Sequence, residues 1–314
     1  MRLHLVIFMV ASVIACLIAL NLHDRDVSPS RPPAEIGRKV PRLTPGQLKA
    51  RAIARKPVAV DTNCAAPFVA LLGASATNYM GGMEALRALP ATLSSNQVVT
   101  LRIVVSLPYN SAMPLSALEF NGIKNVAADI LLQQPSFPAE FLADLAVQHA
   151  DPSQDEVWRD YCLQMLTSGY LNLSGRVESD PDVPAARELA LHTLMTATTA
   201  GGPTWPGTAL LGLNTILASE PSAFPREELN KRILAALSDA SVSEAALITA
   251  SRLAGMSRLE SARPALENLA KSSSSELVRT AAAKSLSDLG PRTLLSATLS
   301  AHPALSDIPP TPSS

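Results

Sequence analysis

Cys162, His149 and His192 are the residues of this chain best equipped for covalent chemistry, a thiol flanked on both sides by an imidazole. A thiol becomes a nucleophile when a neighbouring base takes its proton, so the trio is the natural candidate for an unpatterned catalytic site. No catalytic motif supports it. The chain has no HExxH, no GxSxG and no Walker A loop, and none of His4, His23, His149, His192 or His302 is followed by Glu. Cys16, Cys64 and Cys162 form no CxxC pair, although Cys64 and Cys162 could join in an oxidising compartment. No metal, cofactor or small-molecule substrate is expected.

For recognition rather than reaction, the stretch Gly201-Gly202-Pro203-Thr204-Trp205-Pro206-Gly207 reads as a rigid loop carrying an aromatic side chain. Trp205 there either anchors a partner or caps the core.

The elements that must position these residues are helical. At 314 residues, with 47% hydrophobic and 4% aromatic content and 14 glycines, the chain suits closely packed helices better than sheets. Helices are expected over 48–56, 67–72, 80–89, 114–133, 138–149, 155–167, 183–198, 207–218, 225–237, 243–254, 262–271 and 276–289. The run Asn96 to Leu107 is β-branched enough for a buried strand, but a covered helix fits its surroundings better.

Residues 3–22 carry no Asp, Glu, Lys or Arg and are long enough to span a bilayer. They read as a signal anchor, a cleaved signal, or a lipoprotein signal with Val13-Ile14-Ala15-Cys16 as its lipobox. Arg25, Arg31, Arg38, Lys39 and Arg42 follow closely and favour a cytoplasmic body by the positive-inside rule. The Met-Arg start before an apolar run has the ordinary form of an export signal, which places the body outside the cytoplasm, periplasmic or extracellular. The expected organisation is 1–23 membrane segment, 24–60 proline-rich basic linker, 61–303 helical repeats and 304–314 disordered tail.

Charge divides the same way. Residues 1–60 hold 10 Lys/Arg against 3 Asp/Glu, and the rest holds 16 against 24. A folded part that is net acidic argues against a nucleic-acid binder.

Within the helical part, one pattern recurs. In Leu277 to Gly290, Val278, Ala281, Ala282, Ser285, Leu286 and Leu289 fall at helical spacing, and a shift of 33 residues aligns Ala245, Ile248, Leu253 and Met256 with members of that set. Ile233 and Ala236 align with Leu266 and Leu269, so a helix pair repeats. Upstream, Arg159, Arg187 and Lys124 align with Arg279, and Cys162 aligns with Ala282. On that alignment Cys162 is a packing position and His192, which aligns with Lys284, a surface one. His149 ends a helix, where it can meet the C-terminal dipole.

Val278-Arg279, Ala281-Ala282-Ala283, Leu286 and Gly290 resemble the second helix of the HEAT-repeat family, over roughly 114–295. Tetratricopeptide repeats share the period but not the residue pattern. The resemblance implies an α-solenoid of antiparallel helix pairs that binds a protein partner through one surface, without catalysis. HEAT-like metalloenzymes use His-Glu pairs, which this chain lacks. Trp205, Arg159, Arg187 and Arg279 are the expected partner-binding residues.

Overall fold

The computed structural model describes residues 44–55, 78–111, 113–176, 180–199, 202 and 204–291. The apolar segment 3–22, Cys16, Cys64, the helix expected over 67–72 and the tail lie outside the described residues. Among the described residues the chain is all-helical, with twelve α-helices and no strand.

In chain order these are α1 (Pro45–Arg55), α2 (Tyr79–Arg87), α3 (Ser95–Ser106), α4 (Ala117–Leu132), α5 (Phe141–Ala150) and α6 (Glu156–Asn172). They continue with α7 (Val183–Ala197), α8 (Trp205–Ser219), α9 (Arg226–Ser238), α10 (Glu244–Met256), α11 (Arg263–Ser272) and α12 (Glu276–Leu289). No described helix is long and apolar enough to cross a membrane.

Local chemistry sets the starts. Ser94 and Gln97, and Ser116 and Glu119, form reciprocal capping boxes at α3 and α4. Asp155, Ser243 and Ser275 accept backbone N–H groups at α6, α10 and α12. The capping box and the burial of Leu101, Val104 and Val105 make the β-branched run of α3 a helix.

Helix α1 falls in the stretch read as a linker. Thr44 and Gln47 cap it reciprocally, and Leu48 and Ala52, one turn apart, are buried in the common core where α1 packs on α5 and α7. Two apolar positions suffice for one short helix, so the packed body takes in part of residues 24–60.

The helices from α2 onward pack in a regular order. Every even-numbered helix touches the next, from α2 through α4, α6, α8 and α10 to α12. Contacts along this series join like ends. Asn121, early in α4, donates to Asp155 at the start of α6 over 2.6 Å, and Asn172 at the end of α6 donates to Leu132 O at the end of α4. Thr204, the N-cap of α8, donates to Asp160 of α6 over 2.9 Å. These helices therefore run parallel, with their N-termini along one edge.

Two glycines let the backbones approach. A Cβ on Gly207 would stand 3.1 Å from Ala246 Cα, and one on Gly255 only 2.9 Å from Ser285 Cα. On the other side α3 packs on α5, α5 on α7 and α9 on α11.

This order corrects the repeat alignment at two points. Counted from their caps Ser243 and Ser275, α10 and α12 are offset by 32 residues rather than 33, which pairs the buried Ala246 with Val278 and Ala250 with Ala282. Arg187 lies on α7, outside the even-numbered series, and α8 is the helix that stands between α6 and α10 in it.

Candidate functional site

The arginines and Trp205 singled out by sequence meet the fold, not open solvent. Arg159, the fourth residue after the α6 cap, donates through Nε to His149 O at the end of α5 over 2.7 Å. Arg279, fourth after the α12 cap, donates to Ser273 O over 2.7 Å and to Ser274 O, just past the end of α11. Each thus satisfies a carbonyl that the preceding helix leaves without an intrahelical partner. Lys124 does the same one turn deeper in α4, holding Leu107 O at the end of α3. The recurring cation is a clamp between the two helices of a pair.

Trp205 opens helix α8 instead of lying in a loop, and only 6% of it is exposed. Its ring stacks 4.2 Å from the Arg159 guanidinium and stands edge-on to His149, with centroids 5.1 Å apart. Its indole N–H has no hydrogen-bond partner among the described residues. The structure therefore joins Arg159, His149 and Trp205 in one packed cluster. Arg187 is elsewhere, paired with Glu220 and lying 4.0 Å from the centre of the Tyr170 ring.

Cys162 is fully buried, and burial pushes its pKa up to about 12, so it stays protonated at neutral pH. It occupies the seventh place after the α6 cap, where Ala250 and Ala282 stand in α10 and α12, all without exposure. His149 Nδ1–H donates to Arg159 O over 3.0 Å, and burial lowers its pKa, which keeps the ring neutral. It is packed as a neutral ring rather than offered as a cation to the helix dipole. His192 is exposed on α7. Among the described residues no hydrogen bond joins Cys162 to His149 or His192.

What sequence reasoning missed is a cleft of about 260 Å³ where α1, α3 and α5 meet, with an ion pair and two amides in its wall. Arg102 on α3 donates through Nε to Asp144 Oδ2 of α5 over 2.8 Å, and a second guanidinium N–H reaches the same oxygen. Beside them Gln148 accepts from Trp158 Nε1 over 2.8 Å, and Gln154 donates to Ser106 O over 2.9 Å.

Behind Gln154 lies Lys124. Its Nζ donates to Gln154 Oε1 and to Leu107 O, both at 2.8 Å, and stands 4.3 Å from the centre of the Trp158 ring. Burial lowers its pKa to about 7. An amine of that pKa is nucleophilic in principle, but at 1% exposure its donors are already engaged, and the cleft's polar groups satisfy one another. The partners are 30 and 42 residues apart in sequence, so no local motif could announce them.

Among the described residues no group of three or more His, Cys, Asp or Glu could hold a metal ion. No family model, curated protein or solved structure matches the chain.

Proposed function

We propose that the chain is a HEAT-like α-solenoid acting as a non-catalytic protein-binding scaffold or adaptor, tethered to a membrane or exported by its N-terminal apolar segment. One observation carries the reading. The even-numbered helices follow one another in parallel contact, and the same structural cation clamps α6 and α12 to the helix before each. Stacked pairs of this kind bury a continuous core and leave an extended surface whose size suits a polypeptide better than a small molecule.

The side-chain chemistry agrees with a binding role. The thiol is protonated and buried, and in the cleft the Arg102–Asp144 pair and the Gln148 and Gln154 amides are engaged with neighbouring groups. The acidic balance beyond residue 60 favours a partner other than nucleic acid.

The test is purification of the full-length chain in detergent from its native cells, with the amount of each co-purifying protein measured and the mature N-terminus sequenced. A partner retained at fixed stoichiometry is expected. Absence of any partner, together with turnover of a substrate that Cys162→Ala abolishes, would overturn the proposal.

A further inference from the structure

The second residue after each N-cap along the even-numbered helices forms a register of its own. Met80, Leu118, Val157 and Leu277 occupy it on α2, α4, α6 and α12, with exposures of 58%, 60%, 38% and 62%. Ala245 occupies it on α10 and is exposed, while on α8 the place belongs to Pro206, which is buried. Seven large apolar side chains are exposed among the described residues, and four of them fall on this single position. Scattered exposed apolar residues need no explanation, but a repeated one on parallel helices lines an edge.

Carboxylates stand beside it on three of the helices. Glu156, Glu244 and Glu276 each immediately precede the apolar residue and are exposed. None of the three joins an ion pair among the described residues. A carboxylate there suits the helix dipole, whereas an exposed Leu or Met in the first turn has no helical reason.

From this we infer that the edge docks an extended, cationic, proline-containing segment of a partner protein, apolar at every third residue. Spacing selects the conformation. Packed helix axes lie about 8–10 Å apart, so the anchors on the successive helices α2, α4 and α6 recur at about that interval, with Leu277 beyond the gap at α8 and α10. A polyproline II segment returns to the same face every three residues, about 9.3 Å along its axis. In a β-strand the third residue points to the opposite face. Lys or Arg between the apolar residues would meet Glu156, Glu244 and Glu276, and the same carboxylates repel phosphate-bearing surfaces. The inference rests on the protein-binding reading and names the surface and the chemistry of its partner.

Three synthetic peptides test it by fluorescence anisotropy against the full-length chain in detergent: six repeats of Leu-Lys-Pro, of Leu-Glu-Pro and of Ser-Lys-Pro. The first is expected to bind at least tenfold tighter than the others. Leu118→Ser with Val157→Ser, and separately Glu156→Lys with Glu276→Lys, should each weaken it at least tenfold while circular dichroism stays unchanged.

Equal binding of the three peptides, or unaltered affinity in both variants, would overturn the inference. So would tighter binding of a helical lysine-rich peptide with leucine at every seventh position. Competition by vesicles of phosphatidylglycerol and phosphatidylcholine, or loss of self-association in the Leu118/Val157 variant, would assign the edge to a membrane or to a second copy. A native partner retained by both variants would overturn the edge while leaving the scaffold reading intact.

Discussion

Lys124 Nζ stands 4.3 Å from the centre of the Trp158 ring, fully enclosed, with Leu107 O and Gln154 Oε1 each at 2.8 Å. This lysine ties the end of α3 to α4 and reaches the loop before α6, so its protonation is coupled to folding. Its folded pKa of about 7 lies below the ordinary lysine value, so between pH 7 and 10 the unfolded chain holds a proton that the folded chain has released. Stability from this group therefore rises with pH through that window, by up to about 1.4 kcal/mol per unit, and is flat below it. Chemical denaturation of wild type and Lys124→Met across pH 6–10 should show a steeper rise in wild type. Parallel curves would contradict the assignment.

Arg159 and Arg279 occupy the same place after their caps, yet only Arg159 also stacks on a buried tryptophan. Arg159→Ala should cost about 1–3 kcal/mol through the lost charged hydrogen bond and the stacking. Arg279→Ala removes only carbonyl contacts at the end of the described array and should cost less. Urea midpoints measured on both variants check the order, and equal losses would mean that the Trp205 contact adds nothing.

At Gly255 the backbone of α10 comes close to that of α12. Gly255→Ala places a methyl 2.9 Å from Ser285 Cα, where backbone rather than a flexible side chain must yield. The overpacking cost of about 1–3 kcal/mol should outweigh the helix propensity gained, about 1 kcal/mol. Gly46→Ala, whose Cβ would make only an ordinary contact of 4.0 Å with Thr44 Oγ1, should be neutral or stabilising. Thermal unfolding of the two variants distinguishes close packing from propensity, because propensity alone would stabilise both.

Cys162 should resist modification in the native state. Its pKa of about 12 leaves almost no thiolate at pH 8. Iodoacetamide labelling followed by peptide mapping should find Cys162 unmodified in buffer and fully modified in urea. Labelling at the rate of a free thiol without denaturant would restore it as a reactive group.

Much of the helical outline was readable before the coordinates, because caps and prolines mark the boundaries of α4 to α12 and apolar spacing marks their buried faces. Four features were not. The helix over 48–56 was legible but its packing was not, because Leu48 and Ala52 make a buried stripe too narrow to stand out from a basic linker. Trp205 sits between prolines that read as loop, although Pro206 is tolerated in the first helical turn, where its missing N–H costs nothing.

Arg187 matched a repeat position by local pattern, but helix order is decided by contacts such as Arg187 with Glu220, 33 residues away. The Lys124 cluster was equally hidden. A lone lysine in an amphipathic helix is ordinarily solvated, and only the packing of α3, α4 and the loop before α6 encloses this one.

The central claim is that this array binds a protein along the edge formed by the N-termini of α4, α6 and α12. It is tested most directly by placing a photo-crosslinking amino acid singly at Leu118, Val157, Leu277 and, as a control on another helix, His192 of the full-length chain in its native cells. The account predicts adducts to the same polypeptide from Leu118, Val157 and Leu277, mapping to a basic, proline-containing segment, and none from His192. Adducts to that polypeptide from His192 alone, or no protein adduct from any of the edge positions, would contradict it.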